Sequence, residues 1–318
     1  MKKGVISLGE ALIDFIPLDQ DNTNYQKSPG GAPANVSVGV ARLGATSTFL
    51  GKVGDDVLGR FMKNTLTDYG VQTHSMFLTP DVRTGVVFVT NAEDGERSFD
   101  FYINPSADQF LEAGEIAPSD FENHKVLHFG SISMIGETVK EATRHAVALA
   151  KEKGMIISYD PNLRLPLWDS EEQARETIQS MLSEADLLKI SEEELEFITG
   201  EADIERGLEK LAAYDIPLTL ITMGGEGNYV CTSDGIQHVP AMKVKAIDTT
   251  GAGDAFVSGM LFSLNEYEGD IRAITLPEAV KMAKFASVSG ALAASTKGAM
   301  TALPTRDEVI KHLEGLGE

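Results

Sequence analysis

The chain has 318 residues and a formal net charge of −21, with 42% hydrophobic and 24% charged residues. This composition is typical of a folded domain and excludes a disordered chain, and so strong a negative charge disfavours a nucleic-acid partner. No apolar run approaches the ~20 residues that cross a membrane, and Glu10 and Asp14 interrupt the apolar stretch near the N-terminus. We therefore expect no signal peptide, no membrane partner and a cytoplasmic location.

The only cysteine is Cys231, so an internal disulfide is excluded, and no Cys/His spacing suits a zinc site. No histidine lies near Cys231 in the sequence. We interpret it as a buried structural thiol.

Short β-rich runs alternate with segments that place apolar residues at helical spacing. The predicted strands are Val5–Leu8, Thr84–Thr90, Val126–Phe129, Met155–Tyr159, Leu187–Ile190 and Pro217–Thr222. The predicted helices are Thr138–Lys153, Glu171–Ala185, Ile204–Tyr214 and Pro277–Ala294, the last rich in small residues for close packing. The alternation predicts parallel strands with helical crossovers, in one layered α/β/α domain over residues 1–318 with a mostly parallel central sheet.

One region breaks the alternation. Thr84–Ile103 reads as two strands around NAEDG, an Asp-Gly hairpin signal, and its second half alternates apolar with polar residues like a half-exposed strand. Ile13–Lys27 suits another strand pair. We predict a small β-sheet that projects from the main layer, formed by about 12–30 and 84–105, and acts as a lid or an oligomer interface.

The strongest motif is DTTGAGDAFVSG, residues Asp248–Gly259. It follows a β-like run, Val244–Ile247, and precedes an apolar helical stretch, Ala255–Leu264. Small residues stand where that helix should begin: Gly251, Ala252 and Gly253. Free backbone N–H groups at such a helix start, together with the helix dipole, favour a phosphate.

Asp254 lies at the same helix start, where its carboxylate would repel an anion. A carboxylate beside a phosphate suits a base that accepts a proton from an attacking hydroxyl. An aspartate can also cap a helix, and the motif alone leaves both interpretations open.

Other polar residues follow predicted strands or open helices. In GGAPAN, Asn35 could bind sugar hydroxyls or cap its helix, and Asp14 could accept from hydroxyls or be solvated. Asp160–Arg164 (DPNLR) and Thr222–Gly227 (TMGGEG) come directly after strands, where open α/β sheets bind ligands. The sequence has no Walker P-loop, no Rossmann G-x-G-x-x-G near the first strand, no G-x-S-x-G elbow and no H-E-x-x-H.

GGAPAN and DTTGAGD, in this order and separation, resemble the paired signatures of the ribokinase-like (phosphofructokinase-B type) carbohydrate kinases, over essentially the whole chain. The strings GSISMIG, YDPNLRLPLW and FYINPSAD are similar to the fructokinase branch. That branch usually carries Arg where this chain has Ile103.

The resemblance implies a role for each matching residue. The phosphoryl-transfer group would be Gly251, Ala252 and Gly253 as anion hole and Asp254 as base. Residues near the sugar would be Asp14, Gly31, Asn35, Tyr102, Asn162 and Arg164. ATP would contact Ser191, where the family often has Asn, and Thr222, Gly225 and Gly227. Glu194 would hold Mg²⁺ through water. A K⁺ ion would lie at Asp248, Thr250, Ala293, Thr296 and Gly298, with Ala302 in place of a hydroxyl that some members supply.

The implied reaction is transfer of the γ-phosphoryl group of ATP to the 6-hydroxyl of fructose. A 2-keto-3-deoxygluconate kinase is the alternative, and its substrate carboxylate would need Arg97 or Arg164. A nucleoside kinase and a catalytically inactive sugar- or nucleotide-binding regulator rank lower, because the base and the anion hole are both present. An exposed edge of the projecting sheet would suit a homodimer.

Overall fold

The computed structural model describes residues 2–91 and 97–315. In chain order its strands are β1 (Val5–Leu8), β2 (Leu12–Pro17), β3 (Tyr25–Gly30), β4 (Ser47–Gly54), β5 (Met76–Thr79), β6 (Gly85–Asn91), β7 (Arg97–Phe101), β8 (Val126–Phe129), β9 (Ile156–Tyr159), β10 (Leu187–Ser191), β11 (Leu218–Thr222), β12 (Asn228–Thr232) and β13 (Gly235–Val239). Its α-helices are α1 (Ala32–Arg42), α2 (Val57–Asp68), α3 (Glu137–Glu152), α4 (Glu171–Gln179), α5 (Glu192–Thr199), α6 (Ile204–Leu211), α7 (Ala252–Glu266), α8 (Leu276–Ala294) and α9 (Arg306–Gly315).

The main sheet has the strand order β13-β12-β11-β10-β9-β8-β1-β4-β5. The seven strands at one side of this order pair in parallel: β11, β10, β9, β8, β1, β4 and β5. β12 and β13 add two antiparallel strands beside β11. β1, β8 and β9 are buried along their whole length, because helices cover both faces of the sheet. The predicted layered α/β fold with a mostly parallel sheet is confirmed.

The helices pack through the stripes that the sequence predicts. In α3, Val139, Ala142 and Ala146 are buried against the sheet. α7 and α8 approach so closely that a Cβ atom on Gly259 would lie 2.7 Å from the Cα atom of Ala286. The small residues of Pro277–Ala294 therefore serve helix packing. The predicted helix Glu171–Ala185 is shorter, since α4 ends at Gln179 and a 3₁₀ turn follows.

The second sheet, which we call the projecting sheet, has the order β3-β2-β6-β7. β2 pairs antiparallel with β3 and parallel with β6, and β6 pairs antiparallel with β7. One face carries Phe15 and Phe88, whose rings stack at 5.0 Å, and Lys27, whose ammonium lies over the ring of Phe61 on α2. The predicted strand pair within Ile13–Lys27 is therefore confirmed.

Two local expectations need correction. Val244–Ile247 is not a strand: the segment is exposed at the surface, with 64% of Ile247 accessible, and no strand of the described residues pairs with it. On β7 the predicted apolar face is only partly covered by the described residues: Phe99 is 53% exposed, whereas Phe101 is half-buried. The turn of the NAEDG hairpin lies outside the described residues.

Cys231 is buried in β12, and burial raises the pKa of its thiol to about 12. The thiol is therefore protonated at neutral pH, which agrees with a structural role. In residues 2–91 and 97–315 no helix is long and apolar enough to cross a bilayer.

Candidate active site

The candidate site lies at the carboxyl edge of the parallel strands. Asp160 follows β9, Ser191 ends β10 and Thr222 ends β11, and the N-termini of α1, α5 and α7 point toward the same region. This edge is where parallel sheets place ligand-binding loops. A narrow cavity there is lined by Glu10, Ala32, Pro33, Val36, His128, Gly130, Ser131, Ile132, Asp160, Pro161, Asn162 and Asp254.

The start of α7 has no side-chain cap. Its N-cap residue is Gly251, at φ 78° and ψ 0°, a left-handed conformation that suits glycine. A Cβ atom there would also lie 3.2 Å from the Cα atom of Ala299. The N–H of Ala252 donates to the carbonyl of Thr249 at 3.1 Å. Among the described residues no side chain caps the first turn, so this helix start can receive an anion such as phosphate.

Asp254, in the first turn of α7, does not cap its own helix. Its Oδ2 accepts a hydrogen bond of 2.8 Å from Nδ2 of Asn35 on α1. Asn35 is 5% exposed, and its buried Oδ1 has no hydrogen-bond partner among the described residues. A buried amide oxygen without a donor is costly, so this atom fits a hydroxyl group of a ligand.

Asp254 has the acidity of a base that works near neutral pH. The pKa of its carboxyl is raised to about 6, mainly by burial and also by the charge of Asp160, while Asn35, Lys189 and Arg164 act to lower it. Above pH 6 the carboxylate is ionised and can accept a proton.

Asp14 approaches from the projecting sheet. Burial and the charge of Asp254 raise the pKa of Asp14 to about 7. The N-cap of α1 is Gly31 at φ 99°, where a Cβ atom would lie 2.5 Å from the backbone oxygen of Glu10. The structure thus brings Asp14, Asn35 and Asp254 together, with the glycine turn that sets the direction of α1.

The start of α5 carries a capping box formed by Ser191 and Glu194. The Ser191 hydroxyl accepts from the N–H of Glu194 at 3.1 Å, and Oε2 of Glu194 accepts from the N–H of Ser191 at 2.8 Å. Oε1 of Glu194 accepts from the N–H of Leu163 at 2.8 Å, which ties the loop after β9 to the first turn of α5. In that loop Asn162 adopts φ 45° and its N–H donates to Oδ1 of Asp160 at 3.2 Å.

The turn after β11 is open on one side. Thr222 donates its hydroxyl to the carbonyl of Ile190 at 3.3 Å. Gly225 is exposed with open space around it, whereas Gly227, at φ 109°, is buried against the carbonyl of Val239 at the end of β13. Gly225 can therefore face a ligand, and Gly227 serves the turn.

The residues of the predicted cation site converge. Oδ1 of Asp248 accepts from the N–H of Thr250 at 3.1 Å, and Oδ2 accepts from the N–H of Gly298 at 3.2 Å. The N–H of Thr296 donates to the carbonyl of Ala293 at 3.0 Å. Carboxylate, hydroxyl and carbonyl oxygens form the donor set, which fits a hard cation. Ala302 is buried and contributes no hydroxyl.

Two of the predicted site residues, Tyr102 and Arg164, are exposed at the surface. Tyr102 is 69% exposed and packs its ring edge-on against Phe88 at 5.6 Å. Arg164 is exposed and donates Nη1 to the carbonyl of Leu163, although its charge lowers the pKa of Asp14. The side chain of Arg97 lies outside what the structure describes.

Sequence reasoning missed two charged residues. Glu10 is 4% exposed and accepts from the N–H of Ala32 at 3.0 Å; burial raises the pKa of its carboxyl to about 8. Lys189 forms an ion pair with Asp160 at 3.1 Å, with only 12% of its side chain exposed. The signal for Lys189 was a lysine inside the apolar strand LLKIS, where a charge needs a partner.

Comparisons with known proteins agree with this geometry. Residues 2–306 match the model of the family described as pfkB family carbohydrate kinase. The probable fructokinase-6, chloroplastic, of Arabidopsis thaliana is 45% identical over 317 residues, which cover 97% of this chain and 82% of that protein.

Solved structures of fructokinases share the fold of this chain. A fructokinase double mutant from Vibrio cholerae O395, with fructose, ADP and potassium ion bound, has a TM-score of 0.90 and 42% identity, covering 98% of this chain and 99% of that one. Fructokinase from Xylella fastidiosa with bound ATP has a TM-score of 0.94 and 34% identity, with both chains covered completely.

A carboxylate at an uncapped helix start, at the carboxyl edge of a parallel sheet, is an arrangement that can bind a phosphate and accept a proton, and the fructokinase relatives show the class of protein to be a carbohydrate kinase. With the match over residues 2–306, the particular family follows: the chain belongs to the pfkB family of carbohydrate kinases.

Proposed function

We propose that this chain is a fructokinase, which transfers the γ-phosphoryl group of ATP to the 6-hydroxyl of fructose with Asp254 as the base. The observation that carries the proposal is the pair Asn35–Asp254 at the uncapped start of α7. In this pair, Asn35 has an amide oxygen without a hydrogen-bond partner among the described residues, which can accept from a sugar hydroxyl. Asp254 has a carboxylate beside an anion site.

In the proposed reaction the 6-hydroxyl oxygen forms a bond to the γ-phosphorus, and the bond from that phosphorus to the bridging oxygen breaks. ADP leaves with the electron pair, and the hydroxyl proton passes to Asp254. The first-turn N–H groups of Gly251, Ala252, Gly253 and Asp254 hold the charge of the transferring group. Such catalysis depends on positioning and electrostatics.

The charges around the cleft support a neutral sugar. Glu10, Asp14 and Asp254 are buried carboxyls, and Arg164 is the cation whose charge acts on all three. A substrate carboxylate would raise the pKa of Asp254 further and so disfavour the ionised form that acts as the base. We therefore favour fructose over 2-keto-3-deoxygluconate, with Asp14, Gly31, Asn35, Asn162 and Arg164 around the sugar and Tyr102 at its outer rim.

Ser191, Thr222, Gly225 and Gly227 would lie along ATP. No group of three or more His, Cys, Asp or Glu side chains in the described part of the chain could hold a metal ion. Mg²⁺ binds mainly to phosphates and water and needs few protein ligands. Because both oxygens of Glu194 already accept hydrogen bonds from backbone N–H groups, we propose that this residue contacts Mg²⁺ through a water molecule and not directly. Mg²⁺ would neutralise phosphate charge.

The donor set of Asp248, Thr250, Ala293, Thr296 and Gly298 would hold K⁺ next to the segment that contacts Gly251. Its effect would be to fix the start of α7.

The projecting sheet would act as a lid over the sugar within a single domain of residues 1–318. Phe99 and Tyr102 are exposed on its edge, so two lids could pair in a homodimer. We keep the cytoplasm as the expected location and expect no nucleic-acid partner.

The test is a panel of acceptors with ATP and Mg²⁺: fructose, 2-keto-3-deoxygluconate, ribose and adenosine, each with and without K⁺. We expect the highest kcat/KM with fructose and an increase with K⁺. A higher kcat/KM for 2-keto-3-deoxygluconate would contradict fructose as the substrate, but it would not contradict Asp254 as the base. Binding of sugar and ATP without turnover would contradict the enzyme and favour a regulator.

A further inference from the structure

We propose that Lys189 is a catalytic residue whose ammonium group binds the transferring phosphoryl group, opposite the N–H groups at the start of α7. This inference rests on the proposed function, because it assigns a contact within that phosphoryl transfer. Neither the paired motifs nor the proposed roles above include this lysine.

The position of Lys189 carries the first part of the argument. It lies at the middle of β10, between strands buried on both faces, and its Nζ lies 3.9 Å from the position that a Cβ atom on Gly253 would take. The ammonium group is therefore next to the first turn of α7. A cation is unfavourable at a helix N-terminus, because the helix dipole is positive there. An anion between the two would relieve that repulsion.

The charges around Lys189 carry the second part. Its ion pair is with Asp160, at 3.1 Å, and the carboxylates of Glu194 and Asp254 act on it as well. Glu194 and Asp254 are each hydrogen-bonded to other groups, through Leu163 and Ser191 and through Asn35. Within the described residues, Asp160 is the one group in hydrogen-bond contact with Lys189, so two of its three N–H donors stay available to a ligand.

The protonation state fits this role. Burial alone would lower the pKa of Lys189, but Asp160, Glu194 and Asp254 together raise it above its ordinary value. The ammonium group thus stays charged while ATP brings further negative charge. In the transfer step Lys189 keeps its proton and donates a hydrogen bond to a non-bridging oxygen, while the hydroxyl proton still passes to Asp254.

A purely structural role makes a different prediction, because a lysine that only neutralises Asp160 has no function once Asp160 is neutral. The experiment is a double-mutant cycle of Lys189→Met, Asp160→Asn and the double variant, with fructose and ATP. The double variant removes both charges with little change of shape, so it folds even where Lys189→Met leaves a buried carboxylate unpaired.

We expect Lys189→Met to lower kcat about 10²–10³-fold in both backgrounds, the usual effect of losing one donor to a developing negative charge. The KM for fructose should change little. If Lys189→Met leaves kcat unchanged in the Asp160→Asn background, the lysine is only the partner of Asp160 and the proposal is wrong.

Lys52→Met is the matched control. Lys52 is also a buried lysine, paired with Glu115 at 2.7 Å, and it donates to the carbonyl of Phe110. Its loss should lower stability and leave kcat and KM unchanged. This result would separate the loss of a buried charge from the loss of a phosphoryl contact.

A binding measurement separates this proposal from the choice of substrate. By calorimetry, Lys189→Met in the Asp160→Asn background should weaken binding of the β,γ-imido analogue of ATP at least tenfold more than binding of ADP, because only the analogue carries a γ-phosphoryl group. Equal weakening of both would overturn the contact. If the wild type phosphorylates no fructose, the proposed substrate is wrong, and this comparison still decides the role of Lys189.

Discussion

The starts of α5 and α7 place the same kind of residue, an acidic side chain in the first turn, in two different situations. In α5, Glu194 accepts hydrogen bonds from two backbone N–H groups and completes a capping box with Ser191. In α7, no side chain caps the helix, and Asp254 accepts from a side chain of another helix. The first carboxylate is committed to backbone hydrogen bonds through both of its oxygens, and the second is available for proton transfer.

The largest effect should follow from the available carboxylate. We expect Asp254→Asn to lower kcat with fructose by about 10²–10⁴-fold, the usual effect of removing a positioned base. The variant keeps a shape that can accept from Asn35. Steady-state kinetics at pH 7.5 measures the loss, and activity near that of the wild type would mean that Asp254 is not the base.

Although Asp254→Asn should lower kcat, it should not lower the stability of the folded protein at pH 7.5. Because burial raises the pKa of Asp254 from 3.8 to about 6, the folded state holds a proton that the unfolded state releases between these values. Stability from this group is therefore lost as the pH rises through that range, and ionised Asp254 opposes folding at pH 7.5. Thermal unfolding at pH 7.5 should give Asp254→Asn a Tm equal to or above that of the wild type.

The committed carboxylate should show the reverse pattern. Glu194→Gln replaces one acceptor with an NH₂ group that must face a backbone N–H. We expect the free energy of unfolding to fall by about 1–3 kcal/mol, the cost of an unsatisfied buried polar group. The fall in kcat should be smaller than for Asp254→Asn, with a higher Mg²⁺ concentration at half-maximal rate. Denaturant unfolding and Mg²⁺ titrations measure the two effects, and an unchanged stability would contradict the capping role.

Asn35 sharpens the comparison through pH. The kcat/KM of the wild type should fall below about pH 6, since protonation of Asp254 removes the base. The charged groups that face it are Asp14, Asp160, Arg164 and Lys189. Asn35→Leu removes a hydrogen bond that stabilises the carboxylate, so the acidic limb should move to higher pH. A limb at the same pH in both proteins would contradict the link between Asn35 and Asp254.

The smallest effect on turnover should come from the edge of the projecting sheet. Phe99→Lys places a charge where two lids would pair, so we expect monomers in sedimentation experiments with little change in kcat. Val57→Lys, at an exposed apolar residue on α2, is the control and should leave the assembly unchanged. A wild type that is monomeric at all concentrations would rule out the paired lids.

The sequence predicts the main sheet well because its strands are buried on both faces, so that composition alone marks them. It also predicts both strand pairs of the projecting sheet. It fails at Val244–Ile247, where β-branched residues suggest a strand but no neighbour pairs with them. Intrinsic preference yields there to the lack of a partner strand.

At the site, the motifs predict Asp254 and Asn35 as candidates but not their contact, which joins residues 219 positions apart. They also leave the capping alternative open, because a cap is defined by hydrogen bonds that no spacing reveals. Lys189 escapes motif reasoning for a related reason: its role depends on Asp160, which comes from another strand.

The central claim is that the chain phosphorylates fructose with Asp254 as the base, and the direct test is to identify the product. Wild type and Asp254→Asn would be incubated with fructose, ATP and Mg²⁺ and followed by phosphorus and carbon NMR. The wild type should form ADP and fructose 6-phosphate in equal amounts, and Asp254→Asn, equally folded, should form both at least about 100-fold more slowly. Release of free phosphate without a sugar phosphate, or the same product at the same rate from both proteins, would contradict the claim.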